Sequence, residues 1–188
     1  MNKQDLKKLI KQFKSQIPTG YDIIIKKRRK LKMEKNNEIN VFNVVNCLIN
    51  HVDTQEYKVS NMKINKLLYY IQGYYVAKYD KPLFNEPIEA WLFGPVIPHV
   101  YGKFLEFVDR PITNNYVCFE ASETELNEET KNIIYKVIDK YVKISTYDLS
   151  VMTHEESPWK NAYNPRRKWK NNIISPSFLK DFFKNKII

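Results

Sequence analysis

Residues 62–104 read MKINKLLYYIQGYYVAKYDKPLFNEPIEAWLFGPVIPHVYGKF, the most densely punctuated part of the chain. From Met62 to about Tyr79, Ile64, Leu67, Leu68, Ile71, Tyr75 and Val76 recur at helical spacing and form one apolar face. Ser60 and Asn61 stand before them as caps, since a short polar side chain accepts from the first free backbone N–H groups of a helix. Gly73 falls mid-helix, where it costs up to about 1 kcal/mol of propensity relative to Ala. A glycine there predicts the close approach of another element. Asp80, Lys81 and Pro82 end the helix, and Leu83 and Phe84 read as an anchor turned back onto the core. Ile88–Phe93 alternates as a short strand, with Ile88, Ala90 and Leu92 opposite Glu89, Trp91 and Phe93. Gly94–Pro95 reads as a turn. Pro98 then suits the first turn of a helix over about 98–108, because its missing N–H would have no partner there. Val100, Phe104, Leu105 and Val108 are its apolar side.

Working outward, residues 39–52 place Val41, Val44, Val45, Leu48, Ile49 and Val52 at a period of 3.6, so they read as a helix despite their β-branched content. Residues 112–121 read as a second short strand beside the first. Thr124 to about Tyr147 reads as one long helix, with Thr124, Asn127 and Glu128 supplying the capping chemistry. Ser145 opens a shorter helix with Leu149 and Met152 inward. The segment 153–159 follows, then a Pro-Arg-Arg loop at 165–167, then a last helix from about Pro176 to Phe183. The expected fold is mainly α: a compact helical domain over 39–188 with a small two- or three-stranded β element, preceded by a basic N-terminal extension over 1–38.

The formal net charge is +10 over 188 residues, but it is unevenly spread. Residues 1–35 hold 12 Lys and Arg against 3 Asp and Glu; the remainder holds 19 against 18. The body is therefore not a nucleic-acid binder on charge grounds. In the extension, Leu6, Leu9, Ile10, Phe13 and Ile17 form a basic amphipathic helix, residues 21–25 a short strand, and Lys26, Lys27, Arg28, Arg29 and Lys30 a basic block. A solvated linker is the favoured reading of that block. The alternative is a phosphate-contacting arm over residues 26–32. No apolar run approaches the roughly 20 residues of a membrane span, and the Lys-rich start lacks the apolar core of a secretory signal. Cys47 and Cys118, each in an apolar run, suit reduced thiols in a cytoplasmic protein, with a single disulfide left open.

His51, His99 and His154 have no metal-binding company, which predicts no metal. No glycine-rich phosphate loop or nucleophile elbow is present, which predicts no cofactor. His154, Glu155 and Glu156 read as a helix C-terminus bonding local backbone rather than as an acid–base cluster. Neither cysteine has the cationic neighbours that lower a thiol pKa. The expectation is a protein that is not an enzyme; a site at Glu89, His99 and His154 is the arrangement an enzyme would need. Among the helix aromatics, Tyr70 and Tyr75 read as core. The others, with Trp91 and Tyr101, read either as core boundary or as the lining of a protein-binding groove.

Lys66-Leu67-Leu68-Tyr69-Tyr70, Gln72-Gly73, Pro82-Leu83-Phe84, Ile88-Glu89-Ala90-Trp91, Gly94-Pro95-Val96, Pro98 and Tyr101 together resemble the Panacea antitoxin domain, also called SocA-like or phage-associated GepA-like. Leu149, Thr153-His154 and Pro158-Trp159 extend the resemblance, which covers roughly residues 39–184 in order and spacing. Tyr74 stands where relatives often have Trp, and Asp80 where Gly or Asn is common. The resemblance implies a mainly helical antitoxin that neutralises a toxin encoded beside it by direct contact. In one branch it implies instead an adaptor that delivers the toxin to a protease, so a protease or chaperone joins the implied partners. A nucleic-acid-binding regulator is the further alternative. On this reading Lys66, Tyr69, Gln72, Gly73, Tyr74, Glu89, Trp91, Tyr101 and His154 are the candidate toxin-binding residues, and Gly94, Pro95, Pro98 and Trp159 are architectural.

Overall fold

Helix α1 (Val41–His51) starts with a reciprocal cap. The Asn40 Oδ1 accepts the Phe42 N–H at 2.7 Å, while the Asn43 Oδ1 accepts the Asn40 N–H at 3.1 Å. Val41, Val44, Val45, Leu48 and Ile49 are buried, at the helical spacing expected of 39–52. The structure, a computed structural model, describes residues 39–107, 110–113, 121, 125–166, 172–186 and 188. The extension with its basic arm Lys26 to Lys30, most of the expected second strand 112–121, Val108, Cys118 and Thr124 lie outside the described residues.

Helix α2 (Asn61–Tyr79) is the axis of the domain, packed against α1 and against most of the elements described below. Ser60 caps it, its Oγ accepting the Lys63 N–H at 3.3 Å. Apart from Met62, every residue from Asn61 to Val76 is buried. The sequence pattern predicts one apolar face; the structure surrounds the helix instead, so its polar residues must find partners inside. The helix ends at Asp80 in the left-handed conformation (φ 57°), its N–H donating to the Val76 carbonyl at 2.9 Å. Relatives with Gly or Asn at that place would meet the same backbone demand more cheaply. Gln72 then ties down the anchor after the helix. Its Nε2–H donates to the Phe84 carbonyl at 2.8 Å and its Oε1 accepts the Leu83 N–H at 2.9 Å.

Strand β1 (Glu89–Trp91) pairs antiparallel with β2 (Gly94–Val96) across a two-residue loop, Leu92–Phe93. This corrects two expectations. The strand is shorter than 88–93, and Gly94–Pro95 lies in the partner strand rather than in the turn. Leu92, in the loop, is 38% exposed. Pro95 is tolerated because it faces Ala90, whose own N–H points the other way, to the Asn172 carbonyl at 2.7 Å. A bridge between Glu89 and Ile173 extends the sheet on that side.

The expected helix 98–108 is shorter: α3 (Pro98–Lys103) passes into a 3₁₀ turn, Leu105–Phe107. The helix expected over 124–147 is shorter, and the helix expected to open at Ser145 follows it. Helix α4 (Glu128–Tyr141) is capped by Asn127 through the Thr130 N–H, and α5 (Thr146–Glu155) by Ser145 through the Asp148 N–H. The break between them is satisfied from outside, since the Lys63 ammonium donates to the Val142 carbonyl at 2.6 Å. On α5, Leu149 is buried as expected, whereas Met152 is 36% exposed. Residues 153–159 belong to the end of α5, as expected of a helix C-terminus at His154 and Glu155, and to α6 (Ser157–Ala162), with Pro158 in its first turn. Helix α7 (Pro176–Phe183) has the expected bounds and packs on α2 at Gly73, where an added Cβ would meet the Phe183 ring at 2.3 Å.

Candidate partner-binding site

Lys66, Gln72 and Gly73 lie inside the domain. The Lys66 ammonium reaches the Pro95 carbonyl at 3.2 Å, and burial pushes its pKa down to about 7. The residue before it, Asn65, accepts the Ile97 N–H at 2.8 Å and donates to both oxygens of Asn61. Asn61 in turn donates to the Tyr101 carbonyl at 2.9 Å. These amides and the lysine fasten α2 to β2 and α3. Gly94 (φ 98°) closes the same point: a Cβ there would stand 2.7 Å from the Thr153 Oγ1 and 2.9 Å from the Lys66 Nζ.

The tyrosines of α2 form a second internal network. Tyr69 and Tyr70 donate their hydroxyls to the Glu156 carboxylate at 2.7 and 3.1 Å. Burial pushes that carboxyl above its ordinary range, and the two hydroxyls pull it part of the way back. Tyr70 stacks on Tyr141 at 4.0 Å, the Tyr141 and Tyr74 hydroxyls lie 3.0 Å apart, and Lys140 donates to the Tyr74 hydroxyl at 3.1 Å. Tyr69, Tyr70, Tyr74, Tyr75 and Tyr101 are all buried. Tyr70 and Tyr75 are core, as expected. Tyr69 and Tyr74 are core too, and do not line an open groove in this structure.

Nearer the surface, Trp91 is half-buried, donating its Nε1–H to Glu89 at 2.8 Å and meeting Tyr101 edge-on at 5.4 Å. His154 faces two carbonyls, Ser150 through Nδ1 and Leu92 through Nε2 at 2.8 Å, and packs on Trp159 at 4.3 Å. Trp159 donates its Nε1–H to the Trp91 carbonyl at 3.0 Å, and the Ser150 hydroxyl to the Phe93 carbonyl at 2.9 Å. Helices α5 and α6 thus hold the hairpin loop by its backbone, so Trp159 and His154 serve as clasps. His99 packs edge-on against Phe42 at 4.8 Å.

The surface that results was missed in the sequence. On the outer side of α5, Tyr147 is 59% and Val151 46% exposed, one turn apart, with Met152 beside them. Leu92, on the loop that α5 clasps, is exposed as well. The helix opening at Ser145 carries Leu149 inward as expected, but its register turns Tyr147, Val151 and Met152 outward together. Among the described residues no group of three or more His, Cys, Asp or Glu is placed to hold a metal ion, and no helix is long and apolar enough to cross a membrane. Cys47 is a free thiol whose pKa is raised by burial.

Residues 64–160, just over half of the 188, match the family described as antitoxin SocA-like, Panacea domain. Antitoxin SocA of Caulobacter vibrioides (strain NA1000 / CB15N) is 39% identical over 61 residues, which make up 32% of this chain and 32% of that relative. The chain thus spans about a third of the length of the curated relative it matches. No solved structure matches the chain. The matched segment runs from α2 through the hairpin to α6 and so contains the buried lysine, the Glu156 tyrosine network and both clasps. The chain belongs to the antitoxin SocA-like, Panacea domain family.

Proposed function

We propose that this chain is the antitoxin of a toxin–antitoxin pair and neutralises its toxin by direct contact, as a binding protein rather than a catalyst. The carrying observation is the matched segment itself, whose interior is spent on holding one outward surface: the face of α5 with the Leu92 loop. Tyr147 and Val151 offer the exposed aromatic and aliphatic area that interface anchors need. Of the residues expected to touch the toxin, Lys66, Tyr69, Gln72, Gly73, Tyr74 and Tyr101 are buried and hold the fold, Glu89 accepts the Trp91 Nε1–H, and Trp91 and His154 lie nearest the Leu92 loop.

The test is co-expression with the product of the adjacent gene. Rescue of growth is expected, with a stable complex on purification. Replacing both Tyr147→Glu and Val151→Glu should abolish rescue while leaving the thermal unfolding midpoint unchanged. A pair in which the neighbouring product is toxic and this chain gives no rescue overturns the reading. Delivery of the toxin to a protease shares the contact step, and it is distinguished by disappearance of the toxin during rescue.

A further inference from the structure

The Glu89–Ile173 pair is flanked by hydrogen bonds rather than joined by them. The Ala90 N–H donates to the Asn172 carbonyl at 2.7 Å and the Ile174 N–H to the Ile88 carbonyl at 2.8 Å. In an antiparallel ladder, a residue in such a pair turns its own N–H and C=O away from the strand it faces. Ile173 therefore directs one donor and one acceptor outward, on the side away from β1, and among the described residues no strand pairs with that edge. Its side chain is 53% exposed.

The edge is rigidly held on both flanks. Asn172 is 3% exposed, with its Nδ2–H groups toward the Ala90 and Asn164 carbonyls at 3.4 and 3.3 Å, and Ile174 is 2% exposed in the core. Exposed sheet edges are usually blunted by a lysine, a proline or a bulge. This one presents a β-branched apolar residue, in a chain that has 31 Lys and Arg to draw on. An outward donor and acceptor on one fixed residue, beside an aliphatic side chain, is the recognition chemistry of an extended polypeptide adding to a sheet.

We propose that Ile173 is a docking edge for an extended segment of the toxin. One residue of that segment exchanges both backbone hydrogen bonds with Ile173 and lays an apolar side chain beside it. This rests on the antitoxin reading above and adds the mode of contact to it. The edge lies outside the matched residues 64–160.

Ile173→Pro removes the outward N–H yet keeps both bonds to β1, which use the Asn172 carbonyl and the Ile174 N–H. With the full chain and the purified product of the adjacent gene, at least a tenfold loss of affinity is expected for Ile173→Pro, and a change within twofold for Ile173→Val. Should Ile173→Pro melt early, hydrogen exchange on the wild-type chain gives the same answer: the Ile173 amide becomes protected at least tenfold on forming the complex. Undiminished affinity in a folded Ile173→Pro, or an Ile173 amide left unprotected in the complex, overturns the docking edge while wild-type rescue keeps the antitoxin reading. A toxin-free dimer that already protects this amide also overturns it, with a second copy as the occupant. If the wild-type chain binds no such product, both readings fall together.

Discussion

Lys66 is costly for the domain to keep charged, and that cost has a sign that pH reveals. Its ammonium is buried against a carbonyl, and burial lowers its pKa from 10.5 to about 7. Between those values the unfolded chain binds the extra proton and the folded chain does not. Stability should therefore rise with pH from about 7 toward 10, by up to about 1.4 kcal/mol per unit. Below pH 7 both states are protonated and the penalty is present in full. Lys66→Met should be more stable than the parent at pH 7, and urea unfolding at pH 7, 8 and 9 should show that advantage shrinking by roughly 2 kcal/mol. Parallel profiles for the two proteins would dispose of the argument. None of this was legible in the sequence, where Lys66 stood as a motif residue. Its acceptor lies 29 residues away, and only the fold brings the two together. The Ser60 cap was legible, because its chemistry is complete within four residues.

At the scale of elements, the packing of α2 on α7 turns on Gly73. The sequence argued for a close neighbour from the propensity penalty alone, and the neighbour is the Phe183 ring. Gly73→Ala should destabilise by about 1–3 kcal/mol, the usual range for overpacking. Phe183→Ala should cost about 3–5 kcal/mol as a cavity. The double variant should fall short of the sum, because removing the ring frees the room that the new methyl needs. Strict additivity in chemical denaturation would mean that the ring is not what excludes a side chain at 73. The misread elements have a common cause. The early end of α4 goes with Lys63 reaching the Val142 carbonyl, and the strand role of Gly94–Pro95 with Ala90 turning its N–H to Asn172. Both are long-range hydrogen bonds that leave apolar spacing unchanged.

For the whole molecule, the charge distribution and the core divide the chain at nearly the same place. Residues 37–188 form a unit of their own, with α2 at its centre, and residues 36–188 carry 19 Lys and Arg against 18 Asp and Glu. The fold class was legible because it rests on sums over many residues. The outer face of α5 was not, because it depends on where one helix ends. Removing residues 1–36 should leave a chain that still unfolds cooperatively, with a midpoint within about 4 °C of the parent, the shift that roughly 1 kcal/mol produces at this size. The same truncation separates the two roles open to the basic arm. If Lys26, Lys27, Arg28, Arg29 and Lys30 contact phosphates, the full chain will bind DNA or RNA at low salt with affinity falling steeply as salt rises, and residues 37–188 will not. If the arm contacts the toxin instead, neither form binds nucleic acid and the truncated chain loses rescue. Unimpaired rescue by residues 37–188 would place neutralisation wholly in the folded body.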